Sequence, residues 1–242
     1  MMLGAATLDA LDRIASRAND LREAYRAGSI PAHSDVRGPN LVAPSTDPMN
    51  VAAPPGAWFA VRDAAGQRAY TRDGRLQIDG GILRTVSGDE ILGYPGGDAR
   101  GAVPVPLRVP AADGALGRTA DARVEPDGTV AYTRAAIDPR TGERSVERVT
   151  LGTLALARFP AGSAPRRIDA THVAAPAGVV PHLGTPGDGT FPPVAPSTRD
   201  VGALDLDTGL ERLAEAYRAF EALRAANHAR GETERAVLDL VK

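Results

Sequence analysis

The chain has 242 residues, 43% of them hydrophobic and 24% charged, with a formal net charge of −2. That length supports one or two domains with a sizeable core, and the near-neutral charge gives no footprint for a nucleic-acid backbone or an anionic membrane surface. Cysteine is absent, which excludes disulfides, a thiol nucleophile and Cys-based metal sites.

At the N-terminus, Met1 to Thr7 shows no basic stretch leading into an apolar one, and Asp9 and Asp12 follow at once. No cleaved signal peptide is expected there, and no apolar run nears the roughly 20 residues of a membrane span. From Leu8 onward, Leu11, Ile14, Ala18, Leu21 and Tyr25 fall at alternating spacings of 3 and 4. That heptad row predicts a helix with a narrow apolar seam, ended by Gly28 and Pro31. Prolines 39, 44, 48, 54 and 55 then predict an extended linker over residues 32–46.

The centre reads as β structure. Trp58 to Val61 and Arg68 to Arg72 are predicted strands around a turn at Asp63-Ala64-Ala65-Gly66. Asp73-Gly74 predicts a type I′ hairpin turn into Arg75 to Ile78, because both central residues of such a turn need positive φ. Gly80-Gly81 turns the chain into Ile82 to Val86, and Asp127-Gly128 predicts a second hairpin between Ala122–Val124 and Thr129–Tyr132. Val149 to Phe159 is the longest predicted strand, with Gly152 as a bulge. Residues 160–200, rich in Pro, Gly and Ala, are expected to be irregular loops.

At the C-terminus, Leu206, Leu210, Leu213, Tyr217 and Phe220 repeat the heptad spacing. Glu211 and Glu215 form a like-charge pair, whereas Glu221 stands between Arg218 and Arg224. Gly231 predicts a kink or frayed end, followed by a last amphipathic turn at Val237, Leu238 and Val241. The expected fold class is α+β: a β-rich central domain over 47–200, with residues 1–31 and 201–242 supplying heptad helices of a coiled-coil-like helical domain.

Motifs for chemistry are missing. There is no phosphate-binding G-x-x-x-x-G-K-[ST], no G-x-S-x-G and no H-E-x-x-H. Gly93 to Asp98 is glycine-rich but lacks the lysine and the following helix of a phosphate cradle. His33, His172, His182 and His228 lack metal-ligand spacing and read as solvated. Asp73, Asp79, Asp89 and Glu90 read as turn residues. No cofactor, no metal and no catalysis are expected.

A resemblance runs through the chain in order. Ala69-Tyr70-Thr71-Arg72-Asp73-Gly74 followed by Leu76-Gln77-Ile78-Asp79 resembles the A-Y-T-R-D-G-x-[FL]-x-[LIV]-D segment of the bacterial flagellar rod and hook proteins. Asp47-Pro48-Met49-Asn50-Val51-Ala52 is similar to their N-P-L-D-V-A-I, and Gly56-Ala57-Trp58-Phe59 to G-D-G-F-F. Val124 to Val130 resembles the second hairpin of that family, Gly152 to Phe159 its G-x-L-x-L-A-x-F strand, and Glu215 to Ala222 its Q-A-Q-R-A-Y-E-A. Length and layout are nearest the proximal or distal rod subunits. The chain departs where Glu23 and Ser29 replace an asparagine and an aromatic, and where residues 31–46 are shorter than the family's connection.

The resemblance implies a structural subunit of the basal-body rod, exported by the flagellar type III apparatus without a cleaved signal. It implies residence in the periplasmic part of the axial structure. Its partners would be copies of itself and other rod and hook axial proteins, with no nucleic acid and no direct membrane insertion. Leu11, Ile14, Ala18, Leu21, Leu210, Leu213, Tyr217 and Phe220 would be the assembly interface, and Tyr70, Thr71, Arg72, Asp73 and Gly74 the family-motif hairpin. The alternative is a soluble β-rich binding module with a helical oligomerisation stalk.

Overall fold

Short alternating runs between tight turns dominate the architecture. A computed structural model describes residues 2–24, 26–33, 37–97, 99, 101–110, 121–137 and 144–240. The structure is mostly β, with 37% strand and, among the described residues, two helices, one N-terminal and one C-terminal. The expected α+β class with a coiled-coil-like helical domain is therefore corrected. The contacts divide the chain into two units: Met1–Tyr25 with Pro31–Pro39 and Ala203–Lys242, and Arg26–Ile30 with Asn40–Gly202.

Strands in chain order are β1 (Arg37–Pro44), β2 (Val51–Ala52), β3 (Trp58–Arg62), β4 (Arg68–Thr71), β5 (Leu76–Asp79) and β6 (Ile82–Thr85). There follow β7 (Glu90–Tyr94), β8 (Val105–Pro106), β9 (Arg123–Val124), β10 (Thr129–Ile137), β11 (Arg144–Leu154) and β12 (Leu156–Arg158). The last are β13 (Arg166–Arg167), β14 (His172–Ala174), β15 (His182–Gly184), β16 (Ala195–Pro196) and β17 (Thr198–Leu204). Thirteen of them form one sheet whose main path is β13-β14-β4-β3-β7-β11-β10-β9. Two ribbons, β1 with β17 and β2 with β16, stand apart. The expected linker thus contains a strand, and the stretch 160–200 contains several short ones.

The sheet is buried on both faces around β3. Phe59 and Val61, fully buried, join Leu83, Ile91, Leu154 and Phe191 in the larger core. Ala60 points the other way, into a smaller core with Tyr70, Leu92, Tyr94 and Val173. Period-2 alternation places successive side chains on opposite faces, so a strand apolar at both parities is covered on both. Burying each large side chain stabilises the fold by about 1.5–3 kcal/mol.

Turn chemistry departs from expectation in one place that matters. The type I′ hairpin lies at Gly80-Gly81, where both φ values are positive, 56° and 75°, and Asp79 pairs with Ile82. Asp73-Gly74 is no such turn: neither residue has positive φ, and β5 pairs with β6 rather than β4. Gly74 is needed for close approach, since a Cβ there would lie 1.7 Å from the Val51 carbonyl oxygen. Asp127-Gly128 does close the β9–β10 hairpin, but Pro126 makes it an ordinary turn, with the Gly128 N–H donating to the Glu125 carbonyl at 2.8 Å. The predicted Val149–Phe159 strand is two, β11 and β12, and the register slips between Val130 and Ala131, opposite Leu151 and Gly152.

In the other unit, α1 (Met2–Arg22) and α2 (Leu206–Leu240) run antiparallel. Leu21 approaches Gly209, and near the opposite end the Asn227 Nδ2–H donates to Thr7 Oγ1 at 3.3 Å. The Asp205 carboxylate caps α2 by accepting from the Thr208 hydroxyl at 2.9 Å and its N–H at 3.3 Å. Helix α2 continues through Gly231 rather than ending there. Tyr25, Asp98, Val241 and the side chains of Val237 and Leu238 lie outside the described residues.

The helix rows explain the corrected fold class. Among the described helix residues only Asp20 and Gly209 are buried, and neither is a large apolar side chain. The half-buried residues include Thr7, Ala10, Ile14, Arg17, Ala18 and Leu21 on α1, and Arg212, Leu213, Ala216, Phe220, Leu223 and Asn227 on α2. These inward rows share Ile14, Leu21, Leu213 and Phe220 with the expected seams and add the smaller Thr7, Ala10 and Ala216. An open cavity of about 250 Å³ lies beside them, lined by Ala6, Ala10, Ala216, Ala219 and Leu223 among others.

Candidate functional site

The predicted assembly residues divide into two groups. Ile14, Ala18, Leu21, Leu213 and Phe220 are half-buried. Leu11, Leu210 and Tyr217 are 44%, 52% and 56% exposed. Relative to the inward rows, Leu11 and Ala18 on α1, and Leu210 and Tyr217 on α2, are all turned by roughly 60–100° in the same sense. Because the helices are antiparallel, equal senses of rotation fall on one flank of the pair. The cavity lined by Ala6 and Ala219 opens on the opposite flank. The structure thus leaves Leu11, Leu210 and Tyr217 of the predicted seams exposed on one flank, while Ile14, Ala18, Leu21, Leu213 and Phe220 are half-buried.

The family-like segment Tyr70 to Gly74 is buried. Arg72, 5% exposed, sends its Nε–H to Asp200 Oδ2 at 2.6 Å. Its terminal nitrogens donate to the carbonyls of Ala57 at 2.6 Å and Ala53 at 3.0 Å. Asp200 is fully buried, and it also accepts from Asn40 Nδ2 at 2.8 Å and the Gly202 N–H at 2.9 Å. A buried pair with every oxygen and nitrogen engaged ties three distant pieces of chain to one point. Asp73 pairs with Arg75 at 2.7 Å, and the Thr71 hydroxyl donates to the Thr171 carbonyl at 2.8 Å while accepting from the Asp73 N–H at 3.0 Å. Tyr70 packs edge-on against Phe159.

Beside this segment lies a cluster that sequence reading missed. The β4–β14 ladder places His172 opposite Thr71. His172 is 8% exposed, not solvated as expected. Its Nε2–H meets Asp89 Oδ2 at 3.0 Å and its Nδ1–H meets both oxygens of Asp169 at 2.9 Å. Hydroxyls of Thr85 and Ser87 also donate to Asp89, each at 3.0 Å. The hydrogen bond donated to Asp89, opposed by burial and helped by the one donated to Asp169, holds the imidazole's pKa up at about 9. Burial pushes both carboxyls up, but the hydrogen bonds and charge of His172, with the hydroxyls at Asp89 and backbone N–H groups at Asp169, leave them below the usual range. The imidazolium therefore clamps the 85–89 turn to β14, with both ring nitrogens spent on carboxylates.

The other histidines differ. His33 Nδ1 lies 2.8 Å from the buried carboxylate of Asp20, which also accepts from the Ala32 N–H at 2.7 Å. His182 is exposed and stacks on Phe191, and His228 lies 3.4 Å from Glu232 on α2. Among the described residues no group of His, Asp and Glu is arranged to hold a metal ion, and no helix is long and apolar enough to cross a membrane. The chain matches no family model, and no curated protein is significantly similar to it.

Proposed function

We propose that the chain is a structural subunit of the bacterial flagellar rod, joining a helical polymer through the exposed flank of its terminal helices. The observation that carries this reading is the strip of Leu11, Leu210 and Tyr217, apolar and exposed on one flank. Apolar surface arranged as a strip is surface to be covered by another chain. The buried roles of Thr71, Arg72, Asp73 and Gly74 support it further, since a segment that resembles an axial-protein motif serves here to hold the β unit together. The partners are copies of this chain and neighbouring rod or hook proteins, and the route is export by the flagellar type III apparatus to the periplasmic part of the basal body. A contact between two different surfaces of identical subunits generates a helical polymer when its rotation does not close into a ring.

The test is Tyr217→Asp, at an exposed site where the change leaves the β unit folded. Loss of the chain from purified rods, with normal unfolding of the purified protein, is expected. Normal incorporation would remove the strip from the interface.

A further inference from the structure

Cross-strand register lines up a row of arginines over the sheet. Arg68 on β4 stands opposite Arg62 on β3, Arg62 opposite Glu90 on β7, and Glu90 opposite Arg84 on β6. Arg108 comes within 4.0 Å of the same Glu90, beside Arg62 at 3.6 Å and Arg84 at 3.1 Å. Glu90 and the adjacent Asp63 are the acids there, and the Asp63 carboxylate already accepts the Gln67 N–H at 2.8 Å. Arg62, Arg84 and Arg108 thus share the one Glu90 carboxylate, while Arg68 lies against the Tyr70 hydroxyl. Arg68 against Arg62 is a directly opposed like-charge pair, which destabilises a sheet. With strands about 4.8 Å apart, the row from Arg68 to Arg84 spans roughly 14 Å.

A row of the opposite sign lies on α2. Asp207, Glu211 and Glu215 recur every fourth residue, and all three are exposed. Glu215 pairs with Arg212 at 2.7 Å, whereas Asp207 and Glu211 have no ion-pair partner among the described residues. Like charges four apart oppose the helix. The row runs about 12 Å at 1.5 Å per residue, and its neighbours stand roughly 5–6 Å apart. One sequence thus carries a net-positive row, in which Glu90 only partly offsets the arginines, and an acidic row of similar length and opposite charge.

We infer that the arginine row of one copy docks the Asp207–Glu211–Glu215 face of α2 in a neighbouring copy. Arginine's planar fork suits carboxylates in series. Meeting them relieves the repulsion within each row. The two surfaces differ, so the contact is head-to-tail, and a rotation that does not close a ring makes it open-ended. The inference rests on the self-assembly reading and names a second contact for it, apart from the apolar strip.

The chain's lack of cysteine makes introduced thiols unambiguous reporters. Gln77→Cys sits at the end of the row, opposite Arg84, and Ala214→Cys sits beside Glu211 and Glu215. Full-length chains carrying one change each are mixed and treated with a short bismaleimide. A mixed cross-link is expected, falling about tenfold in roughly 1 M salt, where the screening length is about 3 Å. A similar fall is expected with Arg108→Glu on the Gln77→Cys chain, and recovery when Glu211→Arg is placed on the other. Arg108 is 60% exposed and, among the described residues, its side chain holds only the long contact to Glu90, so its reversal spares the fold; a thermal melt of the variant checks this. Cross-linking indifferent to salt and to both reversals, or absent while the chain still enters rods, overturns the docking and leaves the rod reading standing. A strain lacking the gene but keeping complete rods, with the charge-dependent cross-link intact, overturns the rod reading alone.

Discussion

Replacing His172 by Gln removes a charge that the fold holds between two carboxylates. His172 has a pKa of about 9 when folded, against 6.5 for an unperturbed histidine. A folded-state pKa above the unfolded one means that the stabilisation is complete below about 6.5 and lost as pH rises through about 9. That difference corresponds to roughly 3 kcal/mol. The depressed carboxyls of Asp89 and Asp169 report the same contact from the other side. Their share is present above the ordinary carboxylate range and lost as pH falls through their lowered values, so it is not added again. Urea unfolding of the wild type and His172→Gln at several pH values measures the gap directly. Near pH 6 the variant is expected to be about 3 kcal/mol less stable, with the gap closing by most of that amount near pH 10. Taking the difference removes the phenols of Tyr70 and Tyr94, which burial holds above their usual range in both proteins. A gap that stays constant with pH would refute the clamp.

Four other substitutions test the packing. Gly74→Ala, forced within 1.7 Å of the Val51 carbonyl, is expected to lose more than about 3 kcal/mol in urea unfolding, whereas Gly96→Ala, with open space around it, should stay within about 0.5 kcal/mol. Asp200→Ala strands the Arg72 guanidinium in the interior and should lose about 3–5 kcal/mol, and a smaller loss than Gly96→Ala shows would remove the tie from the account. Gly231→Ala, inside α2 with nothing near its Cβ, should stabilise the helix by about 1 kcal/mol, seen as a later loss of helical circular dichroism on heating.

Local patterns revealed the local structure. Alternation in Trp58–Val61 and Ile82–Thr85, and the turn chemistry of Gly80-Gly81, predict strands and turns that the structure contains. Asp73-Gly74 misled because its turn-like composition serves a close backbone approach to Val51, a partner more than twenty residues away. Contacts of that kind carry no local signal: Arg72 meets Asp200 across 128 positions, and His172 meets Asp89 across 83. Heptad spacing on both terminal segments predicts helices that the structure contains, and Ile14, Leu21, Leu213 and Phe220 of the predicted seams lie in the half-buried rows. Small residues such as Ala10 and Ala216 permit close approach one position around the helix, leaving Leu11 and Tyr217 outside. Burial of His172 was hidden because its ligands come from one neighbour, Asp169, and one distant turn.

The most direct test is electron microscopy of basal bodies isolated from a strain with this gene deleted. Truncated or missing rods without hooks are predicted by an axial subunit whose terminal helices and charged rows join neighbouring copies. Complete rods bearing hooks would contradict that role.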